Sequence, residues 1–256
     1  MERCQFQRDG LRLSYLDAGG DGAPLIAMHA HWMEGSTFTP LAAALQPDWR
    51  VIAPDQRGHG YSDHAKSYTR DDYLADLGAL LAHLNLSRPV VLLGNSLGGV
   101  NAYQFAARHP ERVRAMIIED IGVEIHDSIS GMMEGWGGIF KTREQLAERL
   151  GPRLALYLLD SFRQVEGGWR LAFDPDDMVK SQDCIRGDHW NDWVRSSCPA
   201  LVIRGSESRV TQQEHCEEMS RRRPKTQLRV LEGGHVLHAQ SPAAFEAAVK
   251  EFLREI

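Results

Sequence analysis

Val90-Val91-Leu92-Leu93-Gly94-Asn95-Ser96-Leu97-Gly98-Gly99 passes from four apolar residues through a turn of small residues into a stretch, 97–109, with helical patterning. Four consecutive apolar side chains bounded by turn residues mark a strand buried on both faces, as in a parallel sheet. A strand running straight into a helix through so tight a turn is the repeating unit of an α/β fold.

The same reading extends in both directions. Leu25-Ile26-Ala27-Met28, Val51-Ile52-Ala53, Ala115-Met116-Ile117-Ile118, Leu201-Val202-Ile203 and Leu228-Arg229-Val230-Leu231 are further strand runs, and 11–18 alternates apolar and polar residues as a half-exposed strand would. Helical patterns lie between them at 71–84, 211–223 and 242–256. This alternation predicts an α/β protein with a mostly parallel, doubly wound sheet of about eight strands and right-handed crossovers. The interval from Asp120 to Ser196 breaks the rhythm, with helical patterns at 142–150 and 152–162 and no convincing buried strand. It is too long for a loop. The expected organisation is a core of residues 1–121 and 196–256, with 122–195 inserted after the sixth strand as a helical lid over the sheet's carboxyl edge, where open α/β sheets bind ligands.

Composition narrows the function classes. The 256 residues are 43% hydrophobic and 25% charged with a net charge of -6, which disfavours a nucleic-acid partner because phosphates call for a basic face. The basic run Arg221-Arg222-Arg223 closes a helical pattern, where cations complement the helix dipole, and reads as solvated structure. Cys4, Cys184, Cys198 and Cys216 are scattered and form no C-x-x-C pair, which fits a reducing compartment. One histidine and two acids within 188–193 make a poor metal-ligand set, so no metal or cofactor is expected. Residues 1–20 carry no apolar signal region, and no apolar stretch reaches the ~20 residues of a membrane span. The expectation is a soluble cytoplasmic protein, monomer or homodimer, acting on a small molecule and not on membranes.

The chemistry centres on the turn. Gly94-Asn95-Ser96-Leu97-Gly98 satisfies G-x-S-x-G between a buried strand and a helix. That context makes Ser96 a candidate nucleophile, held in strained geometry with small neighbours that let the chain pass closely. Serine needs an adjacent base. His235, in Gly233-Gly234-His235 after the last strand run, is the favoured candidate over His238, three residues on.

With these residues the chain resembles the α/β-hydrolase fold family along essentially its whole length. Asp55-Gln56-Arg57-Gly58-His59-Gly60-Tyr61-Ser62 resembles the family's D-x-R-G-x-G-x-S turn, and Glu232-Gly233-Gly234-His235 its histidine loop. The resemblance implies an oxyanion hole made by the backbone N–H groups of Leu97 and of His31, in His29-Ala30-His31-Trp32, where Ala30 departs from the usual His-Gly. His29 and His59 read as structural. The family's acid is normally an aspartate after the seventh strand, but Gly205-Ser206-Glu207-Ser208-Arg209 has only Glu207 there. Some relatives carry the acid at the end of the sixth strand, where Asp120 stands beside Glu119, so Asp120 is the favoured candidate and Glu207 the alternative. Strand alternation turns Glu119 and Asp120 to opposite sides.

The resemblance implies a serine hydrolase that cleaves an ester, lactone or similar acyl bond through an acyl-enzyme. The elbow wording also resembles hydrolases of carbon–carbon bonds, although Val236 replaces the tryptophan that those typically carry after the histidine. A non-catalytic ligand receptor on the same fold is the third reading. Trp32, Met132, Met133 and Trp136 are the expected substrate contacts, or else packing between lid and core.

Overall fold

The computed structural model describes residues 1–256, with the side chains of Arg153 and Leu156 excepted. Its main sheet has eight strands: β1 (Glu2–Arg8), β2 (Leu11–Asp17), β3 (Ala23–Met28), β4 (Trp49–Pro54), β5 (Val90–Asn95), β6 (Val113–Glu119), β11 (Ala200–Gly205) and β12 (Thr226–Leu231). The order is β1-β2-β4-β3-β5-β6-β11-β12. β1 and β2 pair antiparallel, β2 joins β4 antiparallel, and every later pairing is parallel.

Side-chain alternation along the central strands explains the continuous apolar runs. Ile26, Met28, Leu92, Met116, Ile118 and Val202 pack into one core layer; Leu25, Ala27, Leu93, Ala115, Ile117 and Leu201 pack into the other. The first layer lies under α2 (Arg70–His83) and α3 (Leu97–Arg108), the second under α1 (Thr39–Leu45) and α10 (Pro242–Arg254). α10 buries Phe245, Ala248, Val249, Phe252 and Leu253, the i, i+3, i+4, i+7, i+8 stripe of a surface helix. α3 is buried on all sides from Leu97 to Ala107, because α2 and α7 (Trp190–Arg195) cover the face turned from the sheet. Among the described residues no helix is long and apolar enough to cross a membrane.

The insertion between β6 and β11 holds α4 (Arg143–Leu150), α5 (Pro152–Tyr157), α6 (Pro175–Ile185) and α7. It is not purely helical. The helix pattern expected over 152–162 stops at Tyr157, and β8 (Phe162–Val165) and β9 (Gly168–Leu171) form a hairpin. Gly167 (φ 87°) and Gly168 (φ 147°) turn it, and a Cβ on Gly168 would lie 2.0 Å from the Phe140 carbonyl oxygen. β7 (Glu124–Ile125) and β10 (Gly187–Asp188) close the base of the insertion. Met133, Trp136, Leu146, Leu150, Phe162, Phe173 and Met178 make a separate small core, whereas Val123, Ile125, Ile185 and Trp193 belong to the layer beside α3.

The run Arg221-Arg222-Arg223 is solvated only in part. Arg223 is 1% exposed, and its guanidinium donates to the Trp193 and Cys198 carbonyls and to the Ser196 hydroxyl. Its place just past the end of α8 (Gln213–Arg222) turns it inward under α7, where backbone carbonyls take up its donors.

Candidate active site

β5 delivers Ser96 at φ 51°, ψ -114°, a sparsely populated conformation for a residue with a side chain. The glycines around it are required by contact. A Cβ on Gly94 would lie 2.1 Å from the Gly98 carbonyl carbon, and one on Gly98 2.1 Å from the Met28 oxygen. One on Gly99 would lie 2.6 Å from Ile121 Cγ2. The first turn of α3 is therefore pressed against the ends of β3 and β6. The strain at Ser96 is held by its N–H on the Glu119 carbonyl (3.1 Å) and its carbonyl on the Val100 N–H (3.0 Å).

His235 reaches the same edge from the loop after β12. Its Nδ1 donates to Asp120 Oδ2 at 2.7 Å, an assignment that follows from the carboxylate being acceptor only, and so leaves Nε2 with its lone pair. Asp120 is fully buried just past β6 at φ 50°, and it also accepts from the Gly205 N–H (3.0 Å) and the Ser208 hydroxyl (2.5 Å). Asn95 ties the two halves together, its Nδ2 donating to the His235 carbonyl at 3.0 Å and the Glu119 carbonyl at 3.2 Å. Gly205 must be glycine, because a Cβ there would stand 2.1 Å from the Gly234 oxygen of the histidine loop.

Of the two candidate acids, Asp120 touches His235. Glu207 is exposed, and its backbone N–H donates to the Gly233 carbonyl at 2.9 Å. One residue further, where the resemblance places an aspartate, Ser208 supplies a hydroxyl to Asp120 instead. A serine carries no signal of that role in sequence. Glu119 turns the other way, as strand alternation requires, and meets His238: Oε2 lies 2.8 Å from His238 Nδ1 and Oε1 accepts the His238 N–H at 2.9 Å. His238 Nε2 then faces the Thr37 hydroxyl at 2.7 Å.

β3 and β5 are neighbours, with Met28 opposite Gly94, so the backbone after each arrives at one place. Leu97 opens α3, and its N–H is one of those a helix start leaves without an intrahelical partner. His31 lies on the loop after β3, with its ring Nε2 2.8 Å from Ser181 Oγ on α6. Burial, with further contributions from His59, Arg70 and His235, holds the His31 ring well below the ordinary histidine range. Burial likewise pushes His29 and His59 down to about 3. Their Nδ1 atoms face the Ala30 and Arg57 carbonyls, so both serve the turns that carry them. The 55–62 turn is scaffold too, with Asp55 accepting from the Gly35 and Tyr61 N–H groups and Arg57 bound to Asp76.

The expected substrate contacts divide. Trp32 and Trp136 meet edge to face at 5.4 Å between ring centroids, and Met133 and Trp136 sit in the insertion's core. Met132 is 55% exposed and is not brought to the site, because the short helical turn Gly131–Met133 directs only Met133 inward. Trp32 Nε1 is buried and has no hydrogen-bond partner among the described residues.

The alpha/beta hydrolase family profile matches residues 20–248. A 2-(acetamidomethylene)succinate hydrolase of Mesorhizobium japonicum is 27% identical over 91% of this chain and 89% of its own length. A marine microorganism esterase of known structure superposes with a TM-score of 0.82 at 26% identity, covering 94% of this chain and 98% of that one. The structure of E-2-(acetamidomethylene)succinate hydrolase superposes with a TM-score of 0.89 at 24% identity over 99% of both chains, a likeness of fold. These relatives are named as hydrolases and esterases, and the family is one of enzymes. A profile match over most of its length, on a sheet of this order, establishes that the chain belongs to the alpha/beta hydrolase family.

Proposed function

We propose that the protein hydrolyses an ester, lactone or similar acyl bond of a small, largely apolar molecule, with Ser96 as nucleophile, His235 as base and Asp120 as acid. The observation that carries this reading is the His235 Nδ1–Asp120 Oδ2 bond of 2.7 Å at the edge where Ser96 is held at φ 51°. His235 Nε2 takes the Ser96 proton as Oγ attacks the carbonyl carbon, and Asp120 orients the ring and stabilises its charged form. The Leu97 and His31 N–H groups receive the oxyanion. His235 then returns the proton to the leaving group, and water repeats the sequence on the acyl-enzyme. Residues 122–195 act as a cap, whose Met133 and Trp136 with Trp32 of the loop after β3 offer an apolar wall, and Trp32 Nε1 offers a donor for a substrate oxygen.

The test is hydrolysis of p-nitrophenyl acetate and butyrate by the wild type and by Ser96→Ala. Turnover by the wild type, with a loss of at least about 10³-fold in the variant, is expected. Retained turnover in Ser96→Ala overturns the reading. Tight ligand binding without turnover would instead make the fold a receptor.

A further inference from the structure

The loop that follows β3 is fastened from outside the sheet. Three of its residues reach into the insertion. The His31 ring bonds Ser181 Oγ on α6 at 2.8 Å, and Ser181 Oγ in turn lies 2.7 Å from the Tyr73 hydroxyl. The Trp32 carbonyl accepts from the Ser161 hydroxyl at 2.6 Å. Glu34 pairs with Arg163 on β8. Ser161 and Ser181 are buried, at 2% and 0% exposure, so water does not compete for these bonds.

The loop has reason to need such fastening. Trp32 sits at φ 71°, in the left-handed region that a bulky side chain rarely adopts. Such a conformation persists only where the surroundings over-determine it. The turn after β4 holds the two ends of the loop, Gln56 donating to the His29 carbonyl at 2.6 Å and the Gly35 N–H to Asp55 at 2.8 Å, whereas within the loop the Met33 N–H reaches the Ala30 carbonyl only at 3.4 Å. The Ser161 hydroxyl on the Trp32 carbonyl and the Trp136 ring against the Trp32 ring both come from the insertion.

We infer that Ser161 and Ser181 are positioning residues for the oxyanion hole, holding the His31–Trp32 backbone through the Trp32 carbonyl and the His31 ring respectively. The inference rests on the proposed acyl-transfer reading, in which the His31 N–H faces the oxyanion. Seating of the insertion and stabilisation of the tetrahedral intermediate are then one event. Substrate entry that lifts the insertion loosens the donor, and closure restores it. Neither serine touches the reacting atoms.

Ser161→Ala and Ser181→Ala are compared with the wild type on p-nitrophenyl butyrate, and butaneboronic acid, which forms a tetrahedral adduct with a nucleophilic serine, serves as inhibitor. Each variant is expected to lose about 10-fold in kcat, less than the 10²–10³-fold of removing a donor outright. The boronate inhibition constant should rise by a similar factor while KM stays within about twofold, and Ser161→Thr, which keeps the hydroxyl, should restore most of the loss. Wild-type kcat in Ser161→Ala overturns the inference, as does a rise in KM with kcat and boronate inhibition unchanged. Ser161→Ala decides alone if Ser181→Ala does not fold, since it leaves one backbone carbonyl, not two side chains, without its bond. A wild type that loses nothing on Ser96→Ala would instead defeat the acyl-transfer reading, a separate outcome.

Discussion

Two histidine–carboxylate pairs stand side by side at the end of β6, and they differ in almost nothing but surroundings. Asp120 binds His235 at 2.7 Å and Glu119 binds His238 at 2.8 Å, each through Nδ1. In the first pair the histidine side chain is 28% exposed, at the edge that carries Ser96. In the second it is 1% exposed, and its Nε2 ends on Thr37 with the Phe38 ring packed against it, tilted by 34° at 4.5 Å between centroids. A carboxylate–imidazole pair is therefore not a catalytic device by itself. On the proposed reading it becomes one where Nε2 can reach a nucleophile and a substrate. Sealed in the core, the same pair is a clamp: by gripping both the backbone N–H and the ring of His238, Glu119 fixes the turn that begins one residue after His235.

Removing each acid's charge in turn breaks the comparison most sharply. Asp120→Asn should lower kcat on a p-nitrophenyl ester by about 10⁴-fold through the wrong histidine tautomer, with little change in melting temperature. Glu119→Gln should do the reverse. Breaking a buried pair costs about 3–5 kcal/mol of stability, read in a urea titration, while the folded enzyme keeps kcat within about tenfold. If the two variants behave alike, the division into catalytic pair and clamp is wrong.

A third outcome concerns pH. His29, His31 and His59 are held neutral by burial, so their folded pKa values lie below that of the unfolded chain. Below about pH 6.5 the unfolded state binds more protons than the native one, and stability falls as pH falls. For His29 and His59, pushed down to about 3, the contribution is on the order of 1.4 kcal/mol per pH unit over that window. His59→Gln, which keeps a donor for the Arg57 carbonyl, should flatten the decline between pH 7.5 and 5 in urea titrations. An unchanged slope would mean that other groups set the acid limit. The smallest effect is expected for Glu207→Ala, whose exposed side chain makes no bond to His235 and whose backbone bond to Gly233 the substitution keeps, with activity unchanged and stability within about 0.5 kcal/mol.

What could be read from sequence was local. The elbow is six consecutive residues whose strand, turn and helix signals coincide, and Gly94, Gly98 and Gly99 each answer a contact of 2.6 Å or less. Seven of the eight strands were legible, the central ones because both of their faces are covered; β1 was not, because it lies at the sheet edge with only Phe6 buried. The choice of acid was not, because Asp120 and His235 lie 115 residues apart, and only the register of β6 against β11 brings the Gly205 N–H and the Ser208 hydroxyl onto the same carboxylate. The hairpin of the insertion hid for a related reason. Its strands are four residues long and half buried, so their alternation does not stand out from a helical pattern. Met132 and Met133 look equivalent in sequence, and one short helical turn separates them.

The most direct test of the central claim is covalent. A fluorophosphonate probe is incubated with the wild type, Ser96→Ala, Asp120→Asn and Glu119→Gln, and adducts are mapped by peptide mass spectrometry. The account predicts a single adduct on Ser96, absent from Ser96→Ala, formed orders of magnitude more slowly in Asp120→Asn and at near wild-type rate in folded Glu119→Gln. An adduct elsewhere, or equal labelling rates in Asp120→Asn and the wild type, would contradict it.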